Sequence, residues 1–119
     1  MTGQQVQVRR IYEPPASTDG RRVLVDRLWP RGMSKVRAEL YEWCRDVAPS
    51  TELRQWYGHD PAKFDEFARR YRAELGEPPA AEAFAGLAEL VRQGPVTLLT
   101  AARDAEISEA TVLQRLLTG

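Results

Sequence analysis

A chain of 119 residues carrying 17 lysines and arginines against 17 aspartates and glutamates has no net charge, so no global basic field holds nucleic acid and any such contact is local. The lone cysteine, Cys44, excludes an intramolecular disulfide and a cysteine-rich zinc site, and the lone histidine, His59, excludes a multi-histidine metal centre. With no apolar run of about 18 residues and a polar opening that lacks the core of a signal peptide, the expectation is a cytoplasmic single domain over residues 1–119 with no membrane partner.

Val6, Val8, Ile11 and Tyr12 among Gln7, Arg9 and Arg10 predict a first strand of the edge or half-covered kind. Residues 14–20, rich in Pro, Ser, Asp and Gly, predict a solvent loop to which no function is assigned. The consecutive apolar residues Val23, Leu24 and Val25 then predict a strand buried on both faces, as in a parallel sheet between helices. That strand runs into Asp26, Arg27, Trp29, Pro30, Arg31 and Gly32, a loop at the place where open α/β sheets gather their ligands. Ser34 is the expected N-cap of a helix over residues 35–40, whose free amides join Arg27 and Arg31 in a cup for an anion. The alternative is that both arginines pair with Asp26 and other carboxylates while Trp29 fills the core.

Residues 40–48 read as a strand from the alternation of Tyr41, Trp43 and Arg45 with Glu42, Cys44 and Asp46, although a continued helix also fits. Ser50 or Thr51 caps a short helix ending at Gly58 and offering a second set of free amides. Asp60 and Pro61 open the clearest helix, with Phe64, Phe67, Ala68, Tyr71 and Leu75 on one stripe. On its outer side Asp65 with Arg69 and Glu66 with Arg70 are spaced for pairing, so the arginine cluster reads as a solvated face. A second helix over residues 80–93 turns Phe84, Leu87, Ala88 and Val91 inward and stops at Gly94-Pro95. Residues 96–100 form another buried strand that runs out into Arg103 and Asp104. The last helix, starting near Glu106 and capped by Asp104 or Ser108, turns Ile107, Ala110, Leu113, Leu116 and Leu117 inward.

This order predicts a single three-layer α/β/α domain with a small, mainly parallel sheet. If the two buried strands are parallel neighbours, Asp26, Arg27, Arg31, Arg103 and Asp104 share one rim, because paired strands lie only about 4.8 Å apart. There the arginines would clamp a small anionic ligand bearing phosphate or carboxylate, with Ser34 and Ser50 beside them, Asp26 and Asp104 orienting the guanidiniums and Trp29 walling the ligand off. His59 is the candidate acid or base, against the alternative of a turn residue bonded to a carbonyl. Cys44 reads as an inert core thiol rather than a nucleophile. Asp26 and Asp104 beside a phosphate suit magnesium, but ion pairing explains them equally, so no metal site is assigned and no cofactor is named. Two other functions stay open: a nucleic-acid-associated accessory module stacking bases on Trp29 and Trp56, and a non-catalytic partner-binding protein.

The stretches Val23-Leu24-Val25-Asp26-Arg27-Leu28-Trp29-Pro30-Arg31-Gly32, Ala48-Pro49-Ser50-Thr51-Glu52-Leu53-Arg54, Gly58-His59-Asp60-Pro61, Phe67-Ala68-Arg69-Arg70-Tyr71 and Val96-Thr97-Leu98-Leu99-Thr100-Ala101-Ala102-Arg103-Asp104 closely resemble the bacterial family catalogued as domain of unknown function 488. The resemblance covers nearly the whole chain, and its first stretch is highly specific. It implies a compact α/β/α domain and no established activity. The chain departs from the family pattern at Ile107-Ser108, where relatives often carry a His-Asn pair, so a role held by that pair does not transfer.

Overall fold

The structure, a computed structural model, describes residues 6–118, so the expectation about the polar opening residues lies outside it. Four strands, β1 (Val6–Arg10), β2 (Arg21–Leu24), β3 (Glu42–Trp43) and β4 (Val96–Thr100), form one sheet in the order β1-β4-β2-β3, all parallel. β4 is buried along its whole length because β1 and β2 flank it and both its faces are covered. The two apolar strands read from the sequence are therefore parallel neighbours, with Val23 opposite Leu98 and Leu24 opposite Leu99.

Side-chain alternation splits this sheet between two cores. Val23, Val25, Val96 and Leu98 point into the larger one with residues of the helices α2 (Thr51–Tyr57), α3 (Phe64–Glu74), α4 (Ala80–Gln93) and α5 (Glu109–Thr118). Leu24 and Leu99 point the other way, where Ile11, Met33 and Ala38 meet them. That second face is covered by the chain between β2 and β3, which contains only the single turn α1 (Lys35–Ala38). The three layers are thus uneven, with four helices on one side and mostly loop on the other.

Several elements depart from the sequence reading. α1 stops at Ala38 because Glu39 turns left-handed, at φ 48°, and closes the turn onto Lys35. The strand expected over residues 40–48 shrinks to the pair Glu42–Trp43, since Tyr41 and Cys44 donate to Arg22 and Leu24 and the chain then coils into a 3-10 turn at Arg45–Val47. The helix opened by Asp60 begins as a 3-10 turn, Pro61–Lys63, and becomes α-helical at Phe64. Its outer pairing centres on Glu66, which meets both Arg69 and Arg70. In α5, Leu116 is exposed rather than inward, and Thr111 and Val112 are buried.

The loop over residues 14–20 also does more than face solvent. Asp19 lies 1% exposed and accepts hydrogen bonds from Arg9, Arg22 and the Ala16 amide. Burial pushes its carboxyl upward, but those donors outweigh burial and leave it below its ordinary value. Gly20, at φ 64°, is required where this loop enters β2, because a Cβ there would lie 2.3 Å from the Pro95 carbonyl oxygen.

Candidate functional site

A cavity of about 350 Å³ opens at the carboxyl ends of β2 and β4. It forms because both strands run the same way and their chains diverge on leaving the sheet, β2 towards Trp29 and β4 towards Arg103. Asp26 ties the two strand ends together. Its carboxylate accepts from the Thr100 hydroxyl at 2.8 Å and from the Ala101 amide at 2.8 Å, while its own carbonyl takes the Trp43 indole N–H at 2.7 Å.

Beside Asp26 and Thr100 in the lining of the same cavity stands Glu109, the first residue of α5. Burial, then the hydrogen bond to Asp26 and its charge, raise the Glu109 carboxyl well above the ordinary value. The raised value favours the neutral form of Glu109, which can donate as well as accept, beside the acceptor oxygens of Asp26.

Aromatic side chains form the walls. Trp29 donates its indole N–H to the Met33 carbonyl at 2.7 Å and meets Trp43 edge-on, the ring centroids 5.3 Å apart. Tyr57 stacks on Phe67 at 4.2 Å and donates its hydroxyl to the Ile107 carbonyl. Burial, followed by the charges of Asp104, Asp60 and Glu109, pushes the Tyr57 phenol up to about 12, so it stays protonated. Tyr12 fixes the Arg31 backbone by donating to its carbonyl at 2.9 Å.

Four arginines line the same cavity. Arg27 is half-buried and donates to the carbonyls of Pro49 and Ala48 rather than to a carboxylate. Arg31, Arg54 and Arg103 are exposed, and none belongs to an ion pair or donates a side-chain hydrogen bond among the described residues. His59 is exposed at the edge, held at φ 57° immediately after the left-handed Gly58 that ends α2, with its ring 5.8 Å from that of Tyr57.

Of the residues singled out in the sequence, Asp26, Arg27, Trp29, Arg31, Arg103 and His59 come together here. Ser34, Ser50 and Asp104 do not line the cavity, and each has a local partner instead. Ser34 accepts from the Arg37 amide, Ser50 from the Leu53 amide, and Asp104 from the Glu106 amide. The amides of α1 accordingly form no part of the cup. Ion pairing of Arg27 and Arg31 with Asp26 is absent among the described residues. Arg54, Glu109 and Thr100 were missed; the available signal was Glu109, an acid next to the apolar inward stripe of α5.

The remaining candidates are engaged elsewhere. Trp56 lies outside the cavity, with the Arg70 guanidinium 4.2 Å and the Lys63 ammonium 5.0 Å from its ring centre. Burial, followed by the charge of Glu42, pushes the Cys44 thiol up to about 11, which leaves it un-ionised and a poor nucleophile. No helix is long and apolar enough to cross a membrane among the described residues.

Comparison with known proteins agrees in one direction. A family model described as the inactive DUF488-N3 subclade matches residues 5–119. The uncharacterized protein Rv3073c of Mycobacterium tuberculosis is 49% identical over 115 residues, spanning 97% of this chain and 95% of that protein, and a Mycobacterium bovis protein matches equally. The uncharacterized protein YeaO of Escherichia coli is 38% identical over 108 residues, spanning 91% of this chain and 92% of that protein. No solved structure matches the chain.

Proposed function

This chain belongs to the DUF488 family, within a subclade described as inactive, and from that premise we propose that it is a binding protein whose strand-end cavity takes a small anionic ligand. The observation that carries this reading is the set of guanidiniums at Arg31, Arg54 and Arg103, which edge one cavity without an internal carboxylate partner. By contrast, Arg69 and Arg70 pair with Glu66, and Arg92 pairs with Glu89. Guanidiniums left open around a concavity suit bidentate contact with phosphate or carboxylate. Arg27, fixed by two carbonyls, adds a pre-positioned charge that loses little freedom on binding.

Binding without turnover fits the subclade description and the Ile107-Ser108 departure. Those two residues have structural tasks: the Ile107 carbonyl accepts from Tyr57 and the Ser108 hydroxyl donates to Ala105. His59 stands at the cavity edge, where it completes the polar rim for the ligand.

Calorimetric titration with inorganic phosphate at low ionic strength tests the proposal. The expected result is saturable binding that weakens about tenfold or more in an Arg31→Ala, Arg103→Ala double variant, since losing charge-assisted bonds costs at least ~1.4 kcal/mol. Undetectable binding at millimolar phosphate, or equal binding by the variant, overturns it.

A further inference from the structure

The cavity has two chemically different ends, and together they specify more than an anion. The mouth is cationic, with Arg31, Arg54 and Arg103, whereas the floor is the Asp26–Glu109 pair. We propose, on the basis of the anion-binding reading of this same cavity, that the ligand is a small phosphorylated sugar, its phosphate on the guanidiniums and its hydroxyl groups on the two floor acids.

The floor chemistry selects hydroxyls. Asp26 spends one lone pair of each oxygen on Thr100 and Ala101, which leaves acceptor capacity facing Glu109 and the cavity. The carboxyl oxygens of Asp26 and Glu109 that line the cavity accept from hydroxyl groups, several of which one sugar ring carries. The raised proton affinity of Glu109 favours its neutral form, which adds a donor for a ligand hydroxyl. A second anionic group at the floor meets Asp26 and is repelled. An apolar tail there strips water from the acceptors without replacing its hydrogen bonds, which is costly. Trp29, Tyr57 and Phe67 supply apolar faces against which the carbon skeleton of a sugar ring packs. A volume of about 350 Å³ lies near the small end of ligand sites, room for one phosphorylated monosaccharide and too little for a dinucleotide.

Calorimetry on the full chain at neutral pH and low salt, using ribose 5-phosphate, ribose, inorganic phosphate and phosphoethanolamine, tests this. Ribose 5-phosphate is expected to bind about tenfold or more tighter than inorganic phosphate, with free ribose weakest. Glu109→Ala should bring the affinity for ribose 5-phosphate down to that of phosphate measured on the same variant. Glu109→Gln, which keeps an acceptor and a donor at the floor, should restore most of the difference. The wild-type comparison decides the matter even if a variant fails to fold. Equal affinity for ribose 5-phosphate and phosphate overturns the sugar assignment while anion binding stands. Tighter binding of phosphoethanolamine than of ribose 5-phosphate overturns it in favour of an ammonium at the floor. Failure of both phosphate and ribose 5-phosphate to bind, or ribose binding as tightly as its phosphate, removes the anion reading itself, and the sugar phosphate with it.

Discussion

A carboxyl whose proton affinity rises on folding ties folding to pH, and Glu109 is such a group. Asp26 and Thr100 face it from the strand ends, Tyr57 from α2 and Tyr71 from α3, with Arg27, Arg54, Arg103 and His59 around the cavity. Because burial and Asp26 raise its folded-state pKa, the native protein holds a proton that the unfolded chain releases. The resulting stabilisation is complete below the ordinary carboxyl value and is lost as pH rises through the raised one. Urea denaturation across roughly pH 5 to 9 should show stability falling in the wild type and a flatter profile in Glu109→Gln. Parallel profiles would show that the Glu109 proton contributes nothing. Asp19 acts at the opposite end: its lowered folded-state value gives stability present above the unfolded carboxyl value and lost as pH falls through the folded one.

Among the elements, α2 does most to connect the fold to the cavity, because it presents Arg54 and Tyr57 to it. Its entry is fixed twice by Ser50, whose hydroxyl accepts from the Leu53 amide and donates to Glu74 of α3, while its own amide donates to the same carboxylate. Ser50→Ala should therefore lower unfolding stability by about 1–2 kcal/mol, the upper range for a lost cap, as measured in urea. A change below a few tenths would mean that the Glu74 contact carries nothing. Such caps were legible in the sequence, as were the α3 stripe and both buried strands, since each is set by residues close in the chain. The β3 region was not, because a two-residue parallel pair is decided by Arg22 and Leu24, some twenty positions away. The cavity was half legible for the same reason. Asp26, Arg27, Trp29, Arg31 and Arg103 follow their strands directly, whereas Arg54 and Glu109 arrive on helices whose positions depend on packing.

At the scale of the molecule, the uneven layering should divide local stability. The face under α2 to α5 contains Phe67, Tyr71, Leu87, Leu98 and Leu113 among its buried side chains, while the opposite face rests on a small cluster around Leu24, Ile11 and Leu99. The chain covering that smaller cluster leaves Leu28 62% and Val36 86% exposed. Native-state hydrogen exchange should find amides over residues 28–38 opening at lower free energy than those of β4, which should track global unfolding. Equal protection in both regions would show that one cooperative unit spans the sheet. This same chain supplies Trp29 and Arg31 to the cavity, so the lower protection expected there would extend to one wall of the proposed ligand site.

Asp26 makes the comparison of relatives asymmetric. Its carboxylate fastens two neighbouring strands and its carbonyl seats an indole, duties that persist whether or not anything ever enters the hollow beside it. A descendant that had abandoned its ligand would still keep that aspartate for architectural reasons, so finding it elsewhere says little about use. Glu109 fastens no strands in this way among the described residues, so a relative that keeps an acid at this position keeps the floor chemistry on which the sugar reading rests.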